Sequence, residues 1–177
     1  MRARAVVWPR YTGSMTDDEA RLELRQAMGL HASGDIDGAL AAASVLTGQA
    51  PAFGEAWAYL GNTLVTRKRQ FADGLRALER AAELRPDDPG VWYTLGWCLE
   101  YVANALARPK GGKVFVGDQA VEEDADALYA QAKAAMLHAL TLDPEEGLKG
   151  DIADILDVIA SATNEPWTDE PHDRRVS

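Results

Sequence analysis

Apolar residues recur along the chain at three- and four-residue spacings, and that period predicts helices almost throughout. Trp57, Leu60, Gly61 and Leu64 stand at i, i+3, i+4 and i+7, one stripe of a helix, and Trp92, Leu95, Gly96 and Leu99 repeat the stripe 35 residues later. A second mark combines a small residue, apolar residues and a closing proline. It reads Ala39, Ala43, Leu46, Pro51, then Gly74, Leu78, Ala81, Pro86, then Ala132, Met136, Ala139, Pro144. Its small residues and its prolines repeat at the same two intervals, 35 and 58 residues. Helix starts are signalled by Thr16 with Glu19, a capping box, and by Asp88-Pro89 and Asp143-Pro144, an N-cap followed by proline at the first helical position. The predicted helices lie near 17–32, 36–48, 54–67, 71–84, 89–106, 122–142 and 146–162.

The W-x-x-L-G stripes, the small–apolar–alanine–proline mark and the period resemble the tetratricopeptide repeat family, whose unit is a helix–turn–helix of about 34 residues. The resemblance covers roughly residues 17–145, in units at about 17–51, 52–86 and 87–145. It is strong in the second unit and strong but interrupted in the third. The first unit has Glu23 and Gln26 where tryptophan and leucine are expected, and keeps only Ala27 and Leu30. The family's tyrosine position is leucine throughout, as Leu30, Leu64 and Leu99. The resemblance implies an all-α, right-handed α-solenoid of three helical hairpins within a domain spanning 15–162.

Three segments fall outside the repeat. Residues 146–162 place Leu148, Ile152, Ile155, Leu156 and Ile159 on one face, as suits a C-terminal capping helix over an open solenoid end. Residues 163–177 read as a flexible tail, with docking of Trp167 on the cap as the other reading. Residues 1–14 carry three arginines and no acid, unlike all that follows, and read as a disordered leader ahead of Met15. Either Met1 or Met15 could be the native start.

The third unit contains an insertion at about 101–123. Lys113–Val116 and Gln119–Val121 flank Gly117-Asp118, a two-residue hairpin signal, so a short hairpin-like flap is expected there. A flap that contacts a partner and a tolerated loop insertion both fit.

Composition narrows the function. Hydrophobic residues make up 47% of the 177 and charged residues 26%, the balance of a soluble globular protein. The net charge of −10 argues against nucleic acid or anionic lipid as a partner, and no apolar run reaches the ~20 residues of a membrane span. A cytoplasmic location is expected. Cys98 is the lone cysteine, beside a packing stripe, where it serves as a small hydrophobe. His31, His138 and His172 share no ligand spacing, and Gly111-Gly112-Lys113 lacks the earlier glycine, the following hydroxyl residue and the preceding strand of a phosphate loop. The acidic run Glu122, Glu123, Asp124 and Asp126 reads as a helix-dipole complement. No catalytic, cofactor or metal site is expected, and the chain reads as noncatalytic.

In tetratricopeptide arrays the first helix of each unit lines a concave groove that binds peptides. Transferred by register, the resemblance implies a groove of Leu24 and Met28, Tyr59 and Asn62, and Tyr93, Trp97 and Tyr101. Independently, Tyr93, Trp97 and Tyr101 stand at i, i+4 and i+8, so one helix carries this face as well as its packing stripe. Burial of that face inside the monomer is the competing reading. Chaperone-binding members of the family clamp a C-terminal carboxylate with lysine, asparagine and arginine. Leu24, Met28, Tyr59, Gly90 and Thr94 occupy the matching places, which disfavours such a clamp. The expected function is a protein-interaction module that binds an apolar or aromatic peptide or helix. The alternative is a self-associating scaffold, a homodimer built through the aromatic face and the flap.

Overall fold

The computed structural model describes residues 15–108 and 119–168. Among these residues the secondary structure is helical, and the chain divides into two compact units, Met1–Phe53 and Gly54–Ser177. The leader at 1–14, most of the expected flap and the last nine residues of the tail lie outside the described residues.

The first unit is a helical hairpin of α1 (Asp17–Ala32) and α2 (Ile36–Gln49). Both halves of the capping box form: the Thr16 hydroxyl accepts from the Glu19 amide at 3.3 Å, and the Glu19 carboxylate accepts from the Thr16 amide at 2.8 Å. Gly34 turns the chain at φ +93°, a conformation that suits glycine, and Asp35 caps α2 through the Gly38 amide at 2.9 Å. Ala20, Leu24 and Ala27 are the buried face of α1, and Ala39, Ala43 and Leu46 that of α2. Leu30 departs from the expected packing role, being 37% exposed. Without the tryptophan and leucine of the full motif, the buried stripe of α1 runs through Ala20, Leu24 and Ala27 instead.

The second unit contains α3 (Gly54–Thr63), α4 (Phe71–Leu84), α5 (Pro89–Ala107), α6 (Ala125–Thr141) and α7 (Glu146–Thr163). Helix α3 packs on α4, α5 on α6, and α7 on both α5 and α6. The repeated glycines stand at the closest approaches. A Cβ on Gly61 would meet the Gly74 carbonyl oxygen at 2.6 Å and Leu78 at 2.7 Å, so α3 and α4 touch through backbone. A Cβ on Gly96 would meet Met136 at 3.1 Å and the Ala132 carbonyl oxygen at 3.2 Å. The W-x-x-L-G period thus marks two helix crossings in which there is little or no room for a side chain.

Local details differ from expectation at three places. Helix α3 widens into a π-helical turn at Leu64–Lys68, which left-handed Arg69 (φ 55°) terminates. This turn sets Val65, fully buried, against the hydrogen face of Gly74. Asp88 caps α5 as expected, accepting from Gly90 at 2.9 Å, but Asp143 does not cap α7. It adopts φ 51°, and the helix begins after Glu145, beyond Pro144. Helix α6 starts at Ala125 with Asp124 as its cap, so Glu122 and Glu123 lie in the loop before it.

Of the expected flap, only Gln119–Val121 is described, and these residues form a turn and irregular chain rather than a strand. Gln119 donates from Nε2 to the Asp73 carboxylate at 2.7 Å and accepts from the Asp73 amide at 3.3 Å, which fastens the loop to the start of α4. Val121 packs on the main core.

That core joins Val65, Phe71, Leu78, Leu95, Val102 and Leu128, among others. A second core brings Met136 and Ala139 of α6 against Ile152 and Leu156 of α7. Burying each large aliphatic side chain of α7 contributes roughly 1.5–3 kcal/mol. Asn164, left-handed at φ 59°, ends the helix, and the chain turns back. Trp167 then packs on the second core and donates its indole N–H to Asp157 at 2.7 Å. Trp167 is thus placed against α7.

Candidate functional site

Helix α5 carries two faces, and the structure separates them. Its packing stripe, Leu95, Gly96 and Leu99, is buried. Trp92, at the head of that stripe, is only half-buried. Its indole N–H donates to the Pro86 carbonyl at 2.8 Å, and its ring meets His138 edge-on at 4.4 Å between centroids. It closes the edge of the hairpin rather than filling the core.

The other face holds Tyr93, Trp97 and Tyr101, all half-buried. Each ring has one side on the protein interior: Tyr93 on the second core, Trp97 on both cores and Tyr101 on the main one. The rings are also linked. Trp97 and Tyr101 lie 6.2 Å apart, Tyr101 meets Phe71 edge-on at 6.1 Å, and the Arg69 guanidinium sits 5.5 Å over Phe71. Burial raises the Tyr93 hydroxyl pKa, and the carboxylates of Asp151 and Asp154 on α7 raise it further. Among the described residues the face is therefore neither sealed nor standing clear: the rings are packed on one side and partly exposed. Such rings are already ordered, so a ligand meeting them costs little side-chain entropy.

The remaining groove candidates fall in two places. Tyr59 and Asn62 are half-buried on α3. Burial raises the pKa of Tyr59, partly offset by a hydrogen bond with Thr63. Asn62 reaches α5, where its side-chain oxygen accepts from the Cys98 thiol at 3.7 Å. Burial pushes that thiol up to about 12, so it is inert at neutral pH. Leu24 and Met28 belong to the other unit. Leu24 is a buried packing residue of the α1–α2 hairpin, which removes it from an open groove, whereas Met28 is 50% exposed.

One feature of α5 is absent from the sequence reading. Glu100 is 7% exposed, yet among the described residues it makes no hydrogen bond or ion pair. It lines a cavity of about 280 Å³ with Asn104 and Arg108 of α5, Tyr129 of α6, and Asp157 and Ser161 of α7. Burial raises its pKa. The available signal was the polar stripe Glu100, Asn104, Arg108 at i, i+4 and i+8, which a helix with a wholly buried second half would not carry.

No family model matches the chain, and no curated protein matches it. Solved structures do. The type III secretion chaperone SycD of Yersinia enterocolitica, in complex with a peptide of the translocator YopD, superposes with a TM-score of 0.61 at 12% identity, over 85% of this chain and 99% of that one. The CopN–Scc3 complex contains a chain with a TM-score of 0.55 at 15% identity, over 88% of this chain and 81% of that one. The likeness shows the fold. It is an all-α helical-hairpin repeat of the α-solenoid class. Among the described residues, no group of three or more His, Cys, Asp and Glu side chains is placed to hold a metal ion, and no helix is long and apolar enough to cross a membrane.

Proposed function

We propose that the chain is a noncatalytic tetratricopeptide-like module that binds an apolar or aromatic segment of a protein partner along α5, with Tyr93, Trp97 and Tyr101 as anchors and Tyr59 and Asn62 of α3 beside them. The supporting observation is the row of half-buried, mutually ordered rings on one helix face. Three such rings at i, i+4 and i+8 present one continuous aromatic strip, which supports its use as a binding face. The fold is shared with a chaperone held in complex with a translocator peptide, which supports the same mode of use here. Amphipathic or extended segments with spaced apolar anchors are the ligands such faces recognise.

The test is a fluorescence-anisotropy screen of the full chain against labelled peptides bearing paired aromatic or aliphatic residues, repeated with Trp97→Ala. Loss of this anchor should weaken binding by about 2 kcal/mol, a hot-spot effect. Because one side of the ring packs on both cores, melting should fall as well. Tyr101→Ser, at the end of the row, supplies an independent check. Peptides that bind wild type and both variants alike would place recognition elsewhere.

A further inference from the structure

Helix α5 continues past the rings. Tyr93, Trp97, Glu100, Tyr101, Asn104 and Arg108 fall within about 100° of one another around the helix, so aromatic and polar halves form one face. The cavity at the polar half has several properties that together limit its occupant. Its volume, about 280 Å³, lies just under the ~300–1,000 Å³ of pockets for drug-sized ligands, and suits a single side chain. Among the described residues no sealed side-chain oxygen lacks a partner. Among the described residues Glu100 makes no hydrogen bond or ion pair, and it lines the cavity. Asp157 adds a second carboxylate, with one oxygen engaged by Trp167. Among the described lining residues Arg108, exposed at the end of α5, is the single cation, against the two carboxylates of Glu100 and Asp157.

We infer that this cavity is a subsite for a basic side chain, lysine or arginine, of the bound segment, with Glu100 as its counter-ion and Asn104, Tyr129 and Ser161 supplying polar groups around it. The inference rests on the reading of α5 as a binding helix. It adds a specificity rule: seven residues separate Trp97 from Asn104, so the basic residue should lie about 10 Å beyond the apolar anchor. A burial-raised carboxylate gains most from such a partner, since pairing offsets the desolvation it already bears.

Amide chemical shifts of the full chain provide the test, with N-acetyl-lysine methylamide as the probe and the neutral norleucine analogue as control. The lysine probe should produce saturable shifts at Glu100, Asn104, Tyr129 and Ser161, and the control should not. Glu100→Gln, nearly isosteric, should weaken the lysine probe at least tenfold. Arg108→Ala should strengthen it by removing a competing cation. Equal binding of both probes, indifference to Glu100→Gln, or loss of binding in Arg108→Ala would each overturn the assignment. Spermidine forms a further arm: tighter binding of it than of the lysine probe would assign the cavity to a free polyamine and overturn the side-chain subsite. The small probes do not need the aromatic row, so failure here is distinguishable from failure of the peptide-binding reading.

Discussion

The α3–α4 and α5–α6 hairpins are built on one repeat and present different surfaces. At positions 35 residues apart, α3 carries Ala58, Asn62, Val65 and Thr66 where α5 carries Tyr93, Trp97, Glu100 and Tyr101. The glycines that permit close packing are the same in both, Gly61 and Gly96. What differs is the residue set around them. Val65 is fully buried against Gly74, whereas its counterpart Glu100 looks into a cavity that α7 helps to wall. The repeat thus specifies the crossing of paired helices and leaves the face of the first helix open to specialisation. This register also aligns Tyr59 with Thr94 rather than with Tyr93, so the aromatic row belongs to α5 alone.

The two glycines provide the strongest test of the comparison. Gly61→Ala drives a methyl group into backbone that cannot swing aside, and should cost about 3 kcal/mol, the upper end of the usual overpacking range. Gly96→Ala should cost about 1 kcal/mol or less. Its nearest neighbour is the flexible Met136 side chain, and alanine recovers nearly 1 kcal/mol of helix propensity. Urea melts of both variants measure the difference, and equal losses would mean that the two crossings are equally rigid.

The Val65–Glu100 difference predicts a pH effect. Burial raises the folded-state pKa of Glu100 above its ordinary 4.5, so ionisation destabilises the fold as pH rises through that raised value. Glu100→Gln should therefore melt higher than wild type at pH 7, with the gap closing as pH falls below the raised value toward 4.5. A constant gap across that range would assign the effect to packing. The smallest expected effect concerns the loop between α5 and α6. Replacing residues 109–118 with a Gly/Ser linker half as long should change stability by about 0.6 kcal/mol or less, since that is about what a doubling of loop length adds in closure entropy. Extending the replacement through Val121 should cost more, because that removes the Gln119–Asp73 tie and an apolar contact, and thermal melts of the two variants compare the losses.

Helix positions were legible in the sequence because their causes are local: a 3.6-residue period, a capping box at Thr16, a proline after Asp88. The start of α7 at 146 was legible, but its cap was not, because Asp143-Pro144 has the same local grammar as Asp88-Pro89. The difference is tertiary, since Pro144 is buried and Asp143 takes a left-handed turn. The π turn at Leu64–Lys68 has no period of its own to announce it. Tyr93, Trp97 and Tyr101 could be grouped from spacing alone, but their half-buried state depends on α7 and Phe71, distant in sequence. Glu100 was missed for the same reason: a glutamate in mid-helix reads as surface until another helix arrives beside it.

The tie between Gln119 and Asp73 has a consequence for how this chain can change over generations. It fixes the point at which the polypeptide re-enters the repeat after its longest interruption, and Asp88 and Asp124 independently start the helices on either side. The register of α6 is therefore set by contacts at Gln119 and Asp124 themselves, so a change of chain length before Gln119 is expected to leave it in place.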